Sequence, residues 1–177
     1  VGQVIDAAIT LTDLDDTQMA GAVVTISAGY VAGDVLSFTD VNGIAGSYNN
    51  QTGVLTLSGN ATKEHYQAAL QSVKFRSESN DPTANGSSTS RTITWAVTDA
   101  NSDGVGAETS LAVTSTVTVT AVNDAPVVEA SASAASYTEN AVGQVIDASI
   151  TLTDLDDTQM TRAVVTISAG YVAGDVL

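Results

Sequence analysis

Residues 1–36, VGQVIDAAITLTDLDDTQMAGAVVTISAGYVAGDVL, return as residues 142–177 with three changes, Ala8/Ser149, Ala20/Thr161 and Gly21/Arg162. Val1 aligns with Val142, which sets a period of 141 residues. Solenoid units repeat at roughly 20–50 residues, whereas a period this long has the size of a whole domain. The chain therefore reads as one repeat and a quarter of the next, taken from a tandem array. Both ends fall inside a strand-rich phrase, so neither is expected to be a natural terminus. Two segments are expected. Residues 1–124 form a repeat without its first strand, whose equivalent of Ser136–Asn140 would lie upstream. Residues 125–177 form the linker and the N-terminal part of the next repeat.

Hydrophobic periodicity assigns the class. In LAVTSTVTVTAV, Val113, Val117, Val119 and Ala121 alternate with threonines, the period of two of a strand with one wet face. Ile93, Trp95 and Val97 form the inward set of RTITWAVTD, and Val73 and Phe75 that of SVKFRSE. Further strands are expected at Ala22–Ser27, Val35–Phe38, Ser47–Asn49 and Val54–Leu57, separated by turn clusters such as VNG, NNQTG and DANSDG. With 44% hydrophobic residues the chain can bury a core, and it carries too much Val, Ile and Leu for a disordered acidic linker. About seven short strands with Gly- and Asn-rich turns predict a mainly β fold, a sandwich of two antiparallel sheets. One segment departs from this. Thr62 as N-cap, Glu64 in the first turn, and Tyr66, Ala69, Leu70 and Val73 at helical spacing predict a short helical insertion near residues 62–71.

The acids cluster in short sets at strand ends. TDLDD supplies Asp13, Asp15 and Asp16, and again Asp154, Asp156 and Asp157; TDANSDG supplies Asp99, Asn101 and Asp103; AVNDAP supplies Asn123 and Asp124. D-x-N-x-D-G opens an EF-hand loop, yet Ser110 occupies the twelfth position and strands flank the stretch, so no EF-hand is expected. The plainer reading of such a stretch is an Asx-rich turn that bonds its own backbone. Three like-charged sets favour a cation, and Ca²⁺, which takes six to eight oxygens, suits them best. Twenty acidic against five basic residues, a net charge of −15, argue against nucleic acid and anionic membrane as partners. No apolar run is long enough to insert in a bilayer.

Taken in order, LTDLDDTQM, QTGVLTLSG, WAVTDANSDG, VTVTAVNDAPVV and YTEN (Tyr137–Asn140) resemble cadherin-like domains, in particular the tandem repeats of giant type I secreted, RTX-type adhesins of Gram-negative bacteria. The resemblance covers essentially the whole period, and VNDAP is its most specific part. It implies a cadherin- or immunoglobulin-like Greek key with Ca²⁺ at the joints between repeats. On that pattern Asn123 and Asp124 would meet Asp154 and Asp156, with Asp157 beside them. Asp13, Asp15 and Asp99 would serve the preceding joint and Glu139 a following one. The LDRE of the animal pattern is missing after LTLSG, where the helical segment stands instead.

Catalysis is not expected. The single histidine, His65, has Ala61 and Ala69 four residues away on either side, Cys is absent, and no nucleophile motif occurs. Asp81-Pro82 reads as a turn rather than a self-cleavage point. The functional expectation is a calcium-binding extender of a cell-surface or biofilm adhesin, located outside the cell. Its partners would be neighbouring repeats of the same chain, with homophilic or strand-exchanged copies as a further possibility. The alternative is a carbohydrate-binding sandwich using Trp95, Tyr30 and Tyr48. Segment 125–177 is further expected either to pack against 1–124 or to be lent to a neighbour, since unpaired edges seek strands.

Overall fold

Strands form where the alternation places them. The computed structural model describes residues 2–177, and the chain divides into two compact units, Val1–Val122 and Asn123–Leu177. The first unit holds β1 (Gln3–Val4), β2 (Gln18–Ala28), β3 (Asp34–Ser37), β4 (Ala45–Asn49), β5 (Val54–Thr62), α1 (Lys63–Ser72), β6 (Lys74–Ser77), β7 (Ser90–Asp99) and β8 (Val113–Thr118). A five-stranded sheet runs β4-β5-β2-β7-β8 and a three-stranded sheet runs β1-β6-β3, with every pairing antiparallel. Leu36 and Phe75 from the smaller sheet share one core with Val24, Ile26, Leu55, Leu57, Ile93 and Trp95 from the larger. The unit is thus an antiparallel sandwich. Burial alternates strictly along β7, as its sequence period requires.

The helix begins where its cap stands. Thr62 has extended backbone, and its hydroxyl accepts the His65 N–H at 3.3 Å. Tyr66, Ala69 and Leu70 turn inward, and His65 is exposed. The Tyr66 hydroxyl donates to the Gly59 carbonyl at 2.7 Å. Gly59 itself sits at φ +125°, and a Cβ there would lie 2.2 Å from the Gly43 carbonyl oxygen, so only glycine fits.

One expectation needs correction. Of the alternating set only Val117 in β8 and Val119 just beyond it pack partly against the core, while Val113 and Ala121 are exposed, because β8 is the edge of its sheet.

The second unit has one strand pair, β9 (Val127–Glu129) with β10 (Thr151–Thr153), in the register Thr151↔Glu129, Leu152↔Val128, Thr153↔Val127. No helix among the described residues is long and apolar enough to cross a membrane.

Candidate metal centres

The phrase TDLDDT folds alike in both units. Asp13 Oδ1 accepts the N–H groups of Asp15 (3.3 Å) and Asp16 (2.9 Å). Asp154 Oδ1 accepts those of Asp156 (3.2 Å) and Asp157 (3.1 Å). An aspartate that bonds the backbone two residues on makes an Asx turn, and this turn carries the later carboxylates back toward the first. In each copy the three acids offer oxygens within 4.8 Å of one another. Two oxygens on opposite sides of one Ca²⁺ lie about 5 Å apart, given Ca–O distances of roughly 2.3–2.6 Å. Three carboxylates within that span fit a single cation.

Proton affinities split within each set. The Asp16 N–H, foremost, holds the Asp13 carboxyl below the usual carboxylate range. Asp15 is pushed up, first by its hydrogen bond to the Asp13 carboxyl and then by the charges of Asp13 and Asp103. Asp154 is held down chiefly by the Asp157 N–H. At Asp156 the Asp124 N–H pulls downward, but lost solvation together with the hydrogen bond and charge of Asp154 carries the group upward. Carboxylates this close disfavour ionising together, and a divalent cation among them would relieve the same repulsion.

The surroundings of the two sets differ. Asp16 is 4% exposed, and its carboxylate accepts the N–H and hydroxyl of Ser102 and the N–H of Asp103, the last at 3.1 Å. Thr17 N–H donates to the Ser102 hydroxyl at 3.0 Å, and the Lys63 ammonium donates to the Asp13 carbonyl at 2.6 Å. In the second unit Asp156 Oδ2 accepts the Asp124 N–H at 3.0 Å, whereas Asp156 Oδ1 is buried with no hydrogen-bond partner. A buried oxygen without a donor is costly, and a cation is one means of satisfying it.

The other acids are placed otherwise. Asp99 is buried and accepts Asn101 N–H (2.9 Å) and Glu108 N–H (2.7 Å) on separate oxygens. Asn101, at φ +54°, accepts Gly106 N–H at 2.7 Å, and Asp103 accepts Val105 N–H at 2.9 Å. These three side chains shape their own loop, as in the Asx-turn reading. Asp99 nonetheless lines a cavity of about 200 Å³ together with Asp13 and Glu108. The Asn123 amide donates to the Asp124 carbonyl at 2.6 Å. Glu139 is exposed in a turn closed by Ala141 N–H to Thr138 C=O at 3.0 Å. Among the described residues, sets of three acids form only at Asp13/Asp15/Asp16 and Asp154/Asp156/Asp157.

Sequence reasoning passed over Ser102 and Glu108. Ser102 lies 86 residues from Asp16, and no local pattern marks that pairing. For the sugar-binding alternative, Trp95 is 1% exposed and its indole N–H donates to the Ser115 hydroxyl at 3.0 Å, so no surface platform includes it.

No protein-family model and no solved structure matches the chain. Over 89 residues, 47% of its length, it is 39% identical to halomucin of Haloquadratum walsbyi. The chain spans 1% of that protein. The likeness is to a short part of a very large protein.

Proposed function

We propose that this chain belongs to an array of calcium-binding, cadherin-like repeats that extends a large cell-surface or biofilm adhesin outward from the cell. The observation that carries the reading is the twofold closure of the TDLDD carboxylates, in one copy with the buried, unpartnered Asp156 Oδ1. Asp13, Asp15 and Asp16 would hold one ion, and Asp154, Asp156 and Asp157 another. Asp124 touches the second set through its N–H, which puts the linker in direct contact with an acid of the following repeat. A bound cation supplies positive charge and fixed geometry there.

Charge gives the mechanism. One period, residues 1–141, carries fifteen acidic and four basic side chains, a net charge of −11 per repeat. Repeats of like sign repel when unfilled, and ions at the joints cancel the repulsion and stiffen the rod. Extracellular modules bind calcium at roughly 10⁻⁴–10⁻³ M, so a chain passing through a type I exporter would remain unfilled in the cytosol and fold outside by mass action. Similarity to a short part of halomucin accords with one repeat of a long surface protein.

Thermal unfolding in EDTA and in millimolar Ca²⁺, beside an Asp154→Ala/Asp156→Ala variant, tests the reading. The midpoint of the native chain should rise with calcium, and that of the variant should rise less. An unchanged native midpoint would leave the acids as solvated turns.

A further inference from the structure

Helix α1 turns one polar row toward the chain that leads into the first acidic set. Lys63, Gln67 and Gln71 stand four residues apart and so share a helix face. Their side chains reach three backbone groups of a single run. The Gln71 amide donates to the Ile9 carbonyl at 3.0 Å, Leu11 N–H donates to Gln67 Oε1 at 3.0 Å, and the Lys63 ammonium donates to the Asp13 carbonyl at 2.6 Å. The two spacings match. Four residues of helix advance about 6 Å and two residues of extended chain about 6.6 Å, and alternate residues of such a chain turn their N–H and C=O groups to one edge. The helix thus bonds the run as a neighbouring strand would, with side chains in place of backbone. Ile9 and Leu11 also pack against the core, which holds the same run from within.

The row ends at Asp13, the first member of the set. Among the described residues Lys63 forms no ion pair with a carboxylate, so its bond fixes the Asp13 backbone without taking up a ligand oxygen. At the other end of the phrase Asp16 is held by the N–H groups of Ser102 and Asp103. Exposed Leu14 and Asp15 span the interval between these two supports. We propose that Lys63, Gln67 and Gln71 are positioning residues for the first acidic set, keeping Asp13 where it can share one cation with Asp15 and Asp16. The proposal rests on the calcium reading of that set. Its three carboxylates offer oxygens within 4.8 Å of one another. A displacement of Asp13 by about 1 Å would exceed the whole spread of Ca–O distances, roughly 2.3–2.6 Å. Groups that orient a metal ligand from behind typically account for about 10–100-fold in affinity.

The test isolates the first set within the full 177-residue chain. Asp154→Ala/Asp156→Ala removes two acids of the second set, and Gln67→Met/Gln71→Met is added to that chain. Methionine has nearly the length of glutamine and suits a helix equally well, so α1 and its buried face persist, as circular dichroism would verify. Isothermal titration with Ca²⁺ reads the affinity, and hydrogen exchange at the Leu11 amide in EDTA reads the ladder. With both glutamines exchanged, Leu11 N–H should lose protection and the calcium Kd should rise at least several-fold. A merely structural role would lower the calcium-free melting midpoint and leave Kd unchanged, which would overturn the inference while the calcium reading stood. No calcium uptake by the Asp154→Ala/Asp156→Ala chain itself would overturn the calcium reading of the first set, and the positioning role with it.

Discussion

Arg91 and Asp34 form a buried ion pair between the two sheets, with Nε 2.5 Å from Oδ2 and neither side chain exposed. Asp34 lies on β3 and Arg91 on β7. The guanidinium also donates to the carbonyls of Pro82 (2.5 Å) and Ser88 (2.9 Å), so it fastens the Asp81-Pro82 loop to the core. Asp34 Oδ2 accepts Val31 N–H at 2.8 Å. Arg91→Met leaves this carboxylate buried without its counter-charge, a loss of about 3–5 kcal/mol by the usual behaviour of broken buried pairs. Arg91→Lys recovers little, because one ammonium cannot serve the carboxylate and both carbonyls in the same plane. Urea denaturation of the calcium-free chain measures both variants, and a loss below about 1 kcal/mol for Arg91→Met would contradict the staple role.

Trp95 reports on the core rather than on a ligand. Its indole N–H, the Ser115 hydroxyl and Asp6 Oδ2 form a chain of hydrogen bonds at 3.0 and 2.9 Å. As the single tryptophan, it should emit at short wavelength, resist quenching by acrylamide and remain unchanged when saccharides are added. Ser115→Ala leaves the indole N–H without its acceptor and should cost about 1–3 kcal/mol. A saccharide-dependent shift of this fluorescence would revive the carbohydrate reading.

The class of fold was legible because burial follows period. Ile93, Trp95 and Val97 point inward as their alternation requires, and Thr62 caps the helix its sequence announces. Strand ends were less legible. β2 starts at Gln18 rather than Ala22 and β5 runs on to Thr62 rather than stopping at Leu57, because Gln18 and Met19 pair with Thr62 and Ala61 across the sheet. The duplicated phrase separates local from tertiary causes. The VAGD turn forms twice, with Val31 N–H to Asp34 Oδ2 at 2.8 Å and Val172 N–H to Asp175 Oδ2 at 2.9 Å, since its bonds are all within four residues. The strand Gln18–Ala28 forms once. Its counterpart at 159–169 has neither a β5 nor a β7 beside it and remains irregular. Within the candidate sites the Asx turns were local and readable, and the bracket from Asp16 to Ser102 was not.

Acid titration should separate the two halves of each carboxylate set. Asp13, Asp154 and Asp147 are held below the ordinary carboxylate value, Asp147 chiefly by the Ser149 N–H. Such groups bind fewer protons folded than unfolded, so their contribution is present above the unfolded value of 3.8 and is lost as pH falls through the lower folded values. Asp15 and Asp156 are raised. They bind more protons folded than unfolded just above 3.8, so the calcium-free chain gains stability from them as pH falls from neutral toward that range. Urea midpoints in EDTA should therefore peak in mild acid and then collapse. In millimolar Ca²⁺ the peak should vanish, because an ion held by these carboxylates would relieve the repulsion that raises Asp15 and Asp156 and would stabilise the neutral-pH form. Profiles of the same shape with and without calcium would contradict the assignment of the ion to these carboxylates.

Asp15 and Asp16 stand side by side and should respond oppositely to substitution. Asp16 is buried and satisfies the N–H groups of Ser102 and Asp103, so its carboxylate joins two loops whether or not an ion is present. Asp16→Ala leaves those donors unpaired and should destabilise the calcium-free chain by about 1–3 kcal/mol. Asp15 is exposed, and its hydrogen bond to the Asp13 carboxyl together with the charges of Asp13 and Asp103 raises it. Asp15→Ala relieves that repulsion, so in EDTA its melting midpoint should equal or exceed that of the native chain. In millimolar Ca²⁺ the order should reverse, because the native chain would gain from an ion held at the first set and the variant would lack one of its three carboxylates. Differential scanning calorimetry of the native chain and both variants, each with and without calcium, reads the reversal directly. If Asp15→Ala instead lowered the midpoint in EDTA and left the calcium increment intact, Asp15 would be a structural residue of the turn, and the first acidic set would not be a cation site.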